Sequence, residues 1–321
     1  MKRLLSFIFL FILILSFASC GDTKTENVEP GTNNSKTQIE EIKINNEVKI
    51  ITPYGTPFLA LGGLLDEENV KIDAVNGADG IKTALVGGEY DVVVAPINLA
   101  AQLFVKGNSK YVIDAVITMN NAYIVTESSN KLDSINDLAG QKVLGFGSTG
   151  IPGNVLKTIY ANNNLNTELI DFTYASSTAV YSVFAGGSSD AKYALMSEPE
   201  ISKLVVNDKK EVKTLDLTKV LGTDVPQACI LVNPESKNQE DIASLLKLVE
   251  SNIKYLNENP SKYADEVMPL DRTFEAMTKD VIVRSIPLTN IVYKPAKEIK
   301  SEINNILTIL GAPNPSEEFY R

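Results

Sequence analysis

"IKTALVGGEYD", Ile81 to Asp91, and "VYSVFAGGSSD", Val180 to Asp190, align without a gap: an amphipathic helical pattern, a Gly-Gly stop, two further residues and an aspartate. Glycine accepts the left-handed conformation at low cost, so helices commonly stop there. Each copy runs on into an apolar strand, "VVVAP" or "AKYALMSEP". A proline follows, Pro96 or Pro199, and then a second helical pattern, whose first turn tolerates the missing N–H. Upstream of each copy another strand ends in a glycine-containing loop, "KIITPYGTPF" in one half and "KVLGFGSTGIPG" in the other. Strands alternating with helices in this way predict an α/β fold of two similar halves. Each half is an open, mostly parallel sheet that receives ligands beyond the carboxyl ends of its strands.

Between the halves, "NNAYIVTE", Asn120 to Glu127, reads as extended, and after the second half so does "QACILVN", Gln227 to Asn233. Beyond that come only helical patterns, "EDIASLLKLVESNIKYL", "TFEAMTKDVIVRSI" and "KEIKSEINNILTIL". The expected organisation is a discontinuous first lobe, 41–131 and 223–321, with a second lobe, 132–222, inserted into it. Two chain crossings of this kind make a hinge.

Residues 1–19 read as an export signal: Lys2 and Arg3, an apolar run from Leu4 to Ala18, and small residues before Cys20. Residues 20–40 are polar, contain Pro and Gly, and show no apolar face, which predicts a flexible tether. Without Lys2 and Arg3 the balance of 30 basic against 40 acidic residues becomes 28 against 40, so nucleic acid is excluded as a partner. The chain has no histidine, which removes a Ser-His-Asp hydrolase and every imidazole metal site; no cofactor, metal or catalytic residue is expected. If Cys20 carries lipid, Cys229 has no disulfide partner and is expected as a small buried apolar residue.

The stretch "LGFGSTGIPG", Leu144 to Gly153, places Gly145, Gly147 and Gly150 in the G-x-G-x-x-G spacing of dinucleotide sites, and Asp171 stands about where a ribose-binding acid would. Pro152 opposes that reading. A helix started at the second glycine would hold this proline beyond its first turn, at a cost of about 3 kcal/mol or more. A helix beginning near Pro152 instead leaves Ser148, Thr149 and Gly150 in a loop that faces the space beyond the strand.

The matching loop of the first half holds Tyr54, Gly55, Thr56 and Pro57. The proline-led helices add Pro96, Ile97 and Asn98 on one side and Ser197 and Glu198 on the other. Tyr54 is expected to stack on a ligand and Phe146 to belong to the core. Asn120, Asn121 and Tyr123 at the first crossing, and Gln227 at the second, fit either hinge hydrogen bonding or ligand contact.

These features together resemble a solute-binding protein of a bacterial ABC importer, with the type II periplasmic-binding-protein fold, over most of residues 45–321. Ala18-Ser19-Cys20 resembles a lipobox, with Phe17 in place of the usual leucine. "KLDSINDLAGQKVLGFGSTG" resembles the family's entry into the second lobe, and "NIVYKPAKEIKSEINNIL" with "PSEEFYR" resembles the tails of the nitrate, sulfonate, taurine and thiamine-precursor branch.

The resemblance implies a monomeric, non-enzymatic lipoprotein. It would be acylated on Cys20, anchored to the membrane on its extracytoplasmic face, and would hand a small-molecule ligand to permease and ATPase subunits. A two-lobed tethered enzyme and a sensor lipoprotein are the other classes. The segments expected to form the cleft loops, 52–58, 95–99, 119–123, 147–153, 174–178, 196–200 and 226–229, contain no Lys or Arg. With Glu198 expected at the cleft edge, this favours a neutral or weakly basic planar solute such as a thiamine-precursor aminopyrimidine over nitrate, sulfonate or taurine.

Overall fold

Short apolar runs bounded by turn residues make the strands. In the computed structural model, which describes residues 42–321, they form two sheets. The expected signal peptide, the tether and Cys20 lie outside the described residues.

The first sheet has the order β11-β4-β10-β3-β1-β2. It is built from β1 (Val48–Pro53), β2 (Val70–Val75), β3 (Val92–Pro96), β4 (Val112–Met119), β10 (Pro226–Val232) and β11 (Ile291–Pro295). The second has the order β7-β6-β8-β5-β9. Its strands are β5 (Tyr123–Glu127), β6 (Val143–Phe146), β7 (Ile170–Tyr174), β8 (Tyr193–Met196) and β9 (Val212–Asp216).

The two sheets share a plan. β2-β1-β3 are parallel, as are β7-β6-β8, and in each the third strand is flanked by an antiparallel one, β10 beside β3 and β5 beside β8. The repeated segments occupy equivalent places. α2 (Ala78–Gly87) leads into β3 and α5 (Ser177–Ala185) leads into β8, with Gly88 and Gly187 at positive φ just beyond the helix ends.

Helices cover both faces of each sheet because alternate strand residues point to opposite sides. Val93 and Ala95 of β3 face the core shared with α2, α3 (Ile97–Val105) and α12 (Lys300–Ile309), whereas Val92 and Val94 face the other side. That other side is packed by α1 (Thr56–Leu61), α8 (Gln239–Glu258), α9 (Pro260–Val267), α10 (Arg272–Met277) and α11 (Lys279–Ser285). In the second sheet Val143 and Leu195 face α4 (Ile151–Asn162) and α7 (Leu217–Leu221), while Leu144, Ala194 and Met196 face α5 and α6 (Glu200–Val206). One core cluster runs through both sheets, and residues Ile42–Arg321 hold together as a single unit.

Four expectations are corrected. Tyr123–Glu127 pairs with β8 and β9 in the second sheet, so the change of sheet falls before β5 and not at residue 131. The tail is not purely helical, since β11 lies antiparallel to β4. "TFEAMTKDVIVRSI" is two helices, α10 and α11, broken at Thr278, whose φ of 65° no helix accommodates. Pro96 and Pro199 stand at the caps of α3 and α6, one residue before the first turn. Cys229 is fully buried and free, its thiol donating to the Ala95 carbonyl at 3.3 Å, and burial pushes its pKa up. Among the described residues no helix is long and apolar enough to cross a membrane.

Candidate functional site

Parallel strands deliver their following loops to one edge of a sheet. Here six such loops meet. The segments after β1, β2 and β3 face those after β6, β7 and β8 around a cavity of about 880 Å³. Every residue expected at the site lines this cavity except Ile97, Asn120 and Tyr123. Ile97 is fully buried in the core behind α3. Asn120 serves the crossings: its N–H donates to the Val225 carbonyl (3.0 Å), its Oδ1 accepts from the Val225 N–H (2.7 Å), and its Nδ2 donates to Asp224 (2.9 Å).

Tyr54 is 38% exposed and rests edge-on against Phe58, with the ring centroids 5.4 Å apart. Phe146 straddles two roles, packing on the core and lining the cavity. Tyr123 does not line it; its hydroxyl donates to the Leu288 carbonyl at 3.3 Å, and burial, with Asp216 and Glu198 nearby, pushes its pKa up to about 12.

α4 begins at Ile151 with Gly150 as its cap and Pro152 in its first turn, which agrees with the proline argument against a dinucleotide fingerprint. The loop before it is tightly held. Gly150 N–H donates to Gly147 O (2.8 Å), Lys157 Nζ to Ser148 O (2.6 Å), and both Asn98 Nδ2 and Asn154 Nδ2 to Thr149 O (3.1 Å each). Asp171 spends its carboxylate on its own turn, accepting from Thr173.

Asn121 knots the cavity floor. Its Nδ2 donates to Thr56 Oγ1 (3.0 Å) and Glu198 O (3.1 Å), its Oδ1 accepts from Glu198 N–H (2.8 Å), and its carbonyl accepts from Ser197 Oγ (2.8 Å). Thr56 Oγ1 also donates to Glu198 O, at 3.0 Å. Both sheets are therefore joined at the floor through one residue of the first crossing.

The expectation for Glu198 is corrected. Its backbone lies at the cavity, but its carboxylate turns away and is only 2% exposed. There it accepts from Ser202 N–H (2.9 Å) and faces the Arg284 guanidinium of α11 at 3.4 Å. Burial raises its pKa above the ordinary glutamate value, against the opposing pull of Ser202 and Arg284. A carboxylate so placed does not repel anions from the cleft edge.

Tyr174 to Thr178 line the cavity, as expected of a cleft segment, whereas Asn76 and Gly77 after β2 and Phe172 and Thr173 at the end of β7 are wall residues that were not foreseen. The signal was present, since carrying the repeat a few residues upstream of Ile81 and Val180 pairs Asn76 with Ala175 and Gly77 with Ser176. No Lys or Arg lines the cavity; of its two acids, Glu198 is turned away and Glu200 accepts from Thr178 Oγ1 (2.8 Å) and Lys203 Nζ (3.2 Å). The helices that start at Gly55, Gly77, Pro96 and Gly150 have no side-chain cap, so their N–H groups lend the wall some anion affinity. Among the described residues no group of three or more His, Cys, Asp or Glu is placed to hold a metal ion.

A family model described as "NMT1/THI5 like" matches residues 61–263. No curated protein matches the chain. Among solved structures, an ABC transporter protein from Parabacteroides distasonis is similar at a TM-score of 0.71 and 18% identity, covering 86% of this chain and 99% of that one. The periplasmic aliphatic sulphonate binding protein SsuA from Escherichia coli gives 0.65 and 12%, covering 83% and 87%. The ligand-binding component of an ABC-type import system from Staphylococcus aureus, solved with zinc bound, gives 0.68 and 16%, covering 86% and 97%. At these identities the likeness is one of fold, the two-sheet architecture of periplasmic binding proteins.

Proposed function

The chain belongs to the NMT1/THI5-like family, and from that premise we propose that it is the solute-binding component of an ABC importer, capturing a small molecule between two lobes and passing it to permease and ATPase subunits. The observation that carries this reading is the cavity itself, walled by six strand-end loops of two sheets with hydrogen bonds from one sheet's loops to the other's. Its size, about 880 Å³, suits a small solute. Binding without catalysis fits the wall chemistry, in which hydroxyls, amides and rings predominate and both acids are already occupied.

Native mass spectrometry of freshly purified protein tests the reading. A co-purified small molecule is the expected result. A chemically altered product accumulating from an added solute would instead mark an enzyme.

The proposed lobes exchange at the two crossings, and the protein acts as a monomer held by lipid on Cys20 at the extracytoplasmic face. Labelling with a fatty-acid analogue checks the anchor. Cys20→Ala should abolish both labelling and detergent partition, and a variant that keeps both would end the lipoprotein reading.

The ligand we infer is a planar, uncharged or weakly basic solute of the aminopyrimidine kind, because no Lys or Arg stands on the wall to hold a full negative charge. A second reading, a sulfonate or nitrate, is favoured by the four uncapped helix starts.

A further inference from the structure

Two wall residues carry a buried polar atom with no partner in the protein: Asn98 at Oδ1 and Gln227 at Nε2. The other such atom among the described residues, the Tyr160 hydroxyl, lies in the core behind α4, away from the wall. Buried polar groups are nearly always paired, so two exceptions on one cavity wall require an explanation. Each amide is fixed by its other end. Asn98 Nδ2 donates to the Thr149 carbonyl (3.1 Å), which leaves Oδ1 over as an acceptor. Gln227 Oε1 accepts from the Asn121 N–H (3.3 Å), which leaves the amino group over as a donor. Turning either amide round would set carbonyl against carbonyl, or N–H against N–H. Gln227 lies on β10 and Asn98 in the first turn of α3, directly after β3; Pro96 at the end of β3 is paired with Ala228 at the start of β10, which brings the two residues to the same end of the sheet.

Building on the solute-binding reading above, we propose that Asn98 and Gln227 are a specificity-determining pair. They read an uncharged ligand through adjacent hydrogen-bond donor and acceptor groups, the edge of a lactam, an amide or an amino-substituted nitrogen heterocycle. Nitrate or an alkanesulfonate satisfies the Gln227 donor but brings no hydrogen to Asn98 and meets no cation on the wall. A simple amine satisfies Asn98 and leaves Gln227 unpaired. A planar edge with both groups satisfies both. The rings of Tyr54, Phe146, Phe172 and Tyr174 line the same cavity and offer faces to such a plane. A site built on buried hydrogen-bonding groups rejects analogues that lack the matching atoms, because its own groups then stay unpaired.

Calorimetric titration with cytosine, 2-aminopyrimidine, unsubstituted pyrimidine, methanesulfonate, nitrate and taurine tests the pair. Cytosine and 2-aminopyrimidine should bind at least about tenfold more tightly than pyrimidine, which has acceptors and no donor. Gln227→Glu keeps the acceptor facing Asn121 and removes the donor, so it should weaken cytosine by about tenfold or more while circular dichroism stays unchanged. Asn98→Ala should do the same. Pyrimidine equal to cytosine, an unaffected Gln227→Glu, any of the anions or taurine ahead of both rings, or no binding of either ring at millimolar concentration would each overturn the proposal. Native mass spectrometry separates its failure from that of the solute-binding reading. A co-purified solute of other chemistry leaves that reading standing, whereas no solute and no binding to any probe removes both.

Discussion

The Glu198 carboxylate is held between a backbone N–H of α6 and the guanidinium of Arg284, which is 35% exposed. Burial dominates and raises its pKa, so the folded chain binds this proton more tightly than the unfolded chain does. The linkage sign follows: the contribution to stability is greatest below the ordinary glutamate pKa of about 4.3 and is lost as pH rises through the raised value. Denaturant melts of the wild type and Glu198→Gln at several pH values should therefore show wild type losing ground to the variant from about pH 4 upward. A difference that is flat, or that grows in favour of wild type, would refute the assignment. Arg284→Leu strips the carboxylate of its cation and should cost about 1–3 kcal/mol at neutral pH, toward the low end because the guanidinium is partly solvated. The loss should shrink near pH 4, where Glu198 is protonated. Glu198 could be placed at the site from the proline that follows it. The direction of its side chain could not, because its partner lies 86 residues away on a helix that no local pattern connects to it.

Helix α4 shows what a spacing pattern can and cannot identify. Gly150 belongs to G-x-G-x-x-G, yet its φ of −81° is open to any residue, and a Cβ there would touch Gly147 O at a tolerable 3.4 Å. Gly153 lies outside the pattern, and a Cβ on it would stand 2.2 Å from Gly147 O and 2.9 Å from Phe146 O. Close packing of helix on loop, the task a fingerprint gives its third glycine, falls here to Gly153. Gly150→Ala should leave stability within about 1 kcal/mol of wild type, whereas Gly153→Ala should cost about 1–3 kcal/mol and weaken ligand binding by moving the Ser148–Thr149 loop. Equal effects from the two substitutions would contradict this packing. The helix–strand alternation, the repeat and the start of α4 were all legible because each rests on neighbouring residues. The sheet that claims β5 and the existence of β11 were not. Short apolar runs carry no mark of their partner strand, and pairing is decided by residues far along the chain.

At the scale of the molecule, the proposed lobes meet through bonds of two kinds. Those at the floor, from Asn121 and Thr56 to Glu198, are buried and lie next to the crossings that Asn120 ties to Val225. The bond from Asn98 Nδ2 to Thr149 O is solvent-exposed, as expected of a contact at the cleft's edge. Rotation about the crossings need change only a few backbone torsions there, and it lengthens edge contacts more than those near the axis. An exposed neutral hydrogen bond contributes about 0.5–1.5 kcal/mol, which shifts a two-state ratio by about two- to tenfold. If the proposed lobes close on a solute, the Asn98 bond only biases the ligand-free protein toward closure, and a bound solute would have to supply the rest through its greater affinity for the closed form. Small-angle scattering should show a smaller radius of gyration with a saturating bound solute than without. Asn98→Ala should enlarge the ligand-free radius, with helix content and melting profile close to wild type. An Asn98→Ala protein no larger than wild type without ligand, and a wild type that does not compact when calorimetry shows it saturated, would together mean a rigid receptor whose cleft does not move.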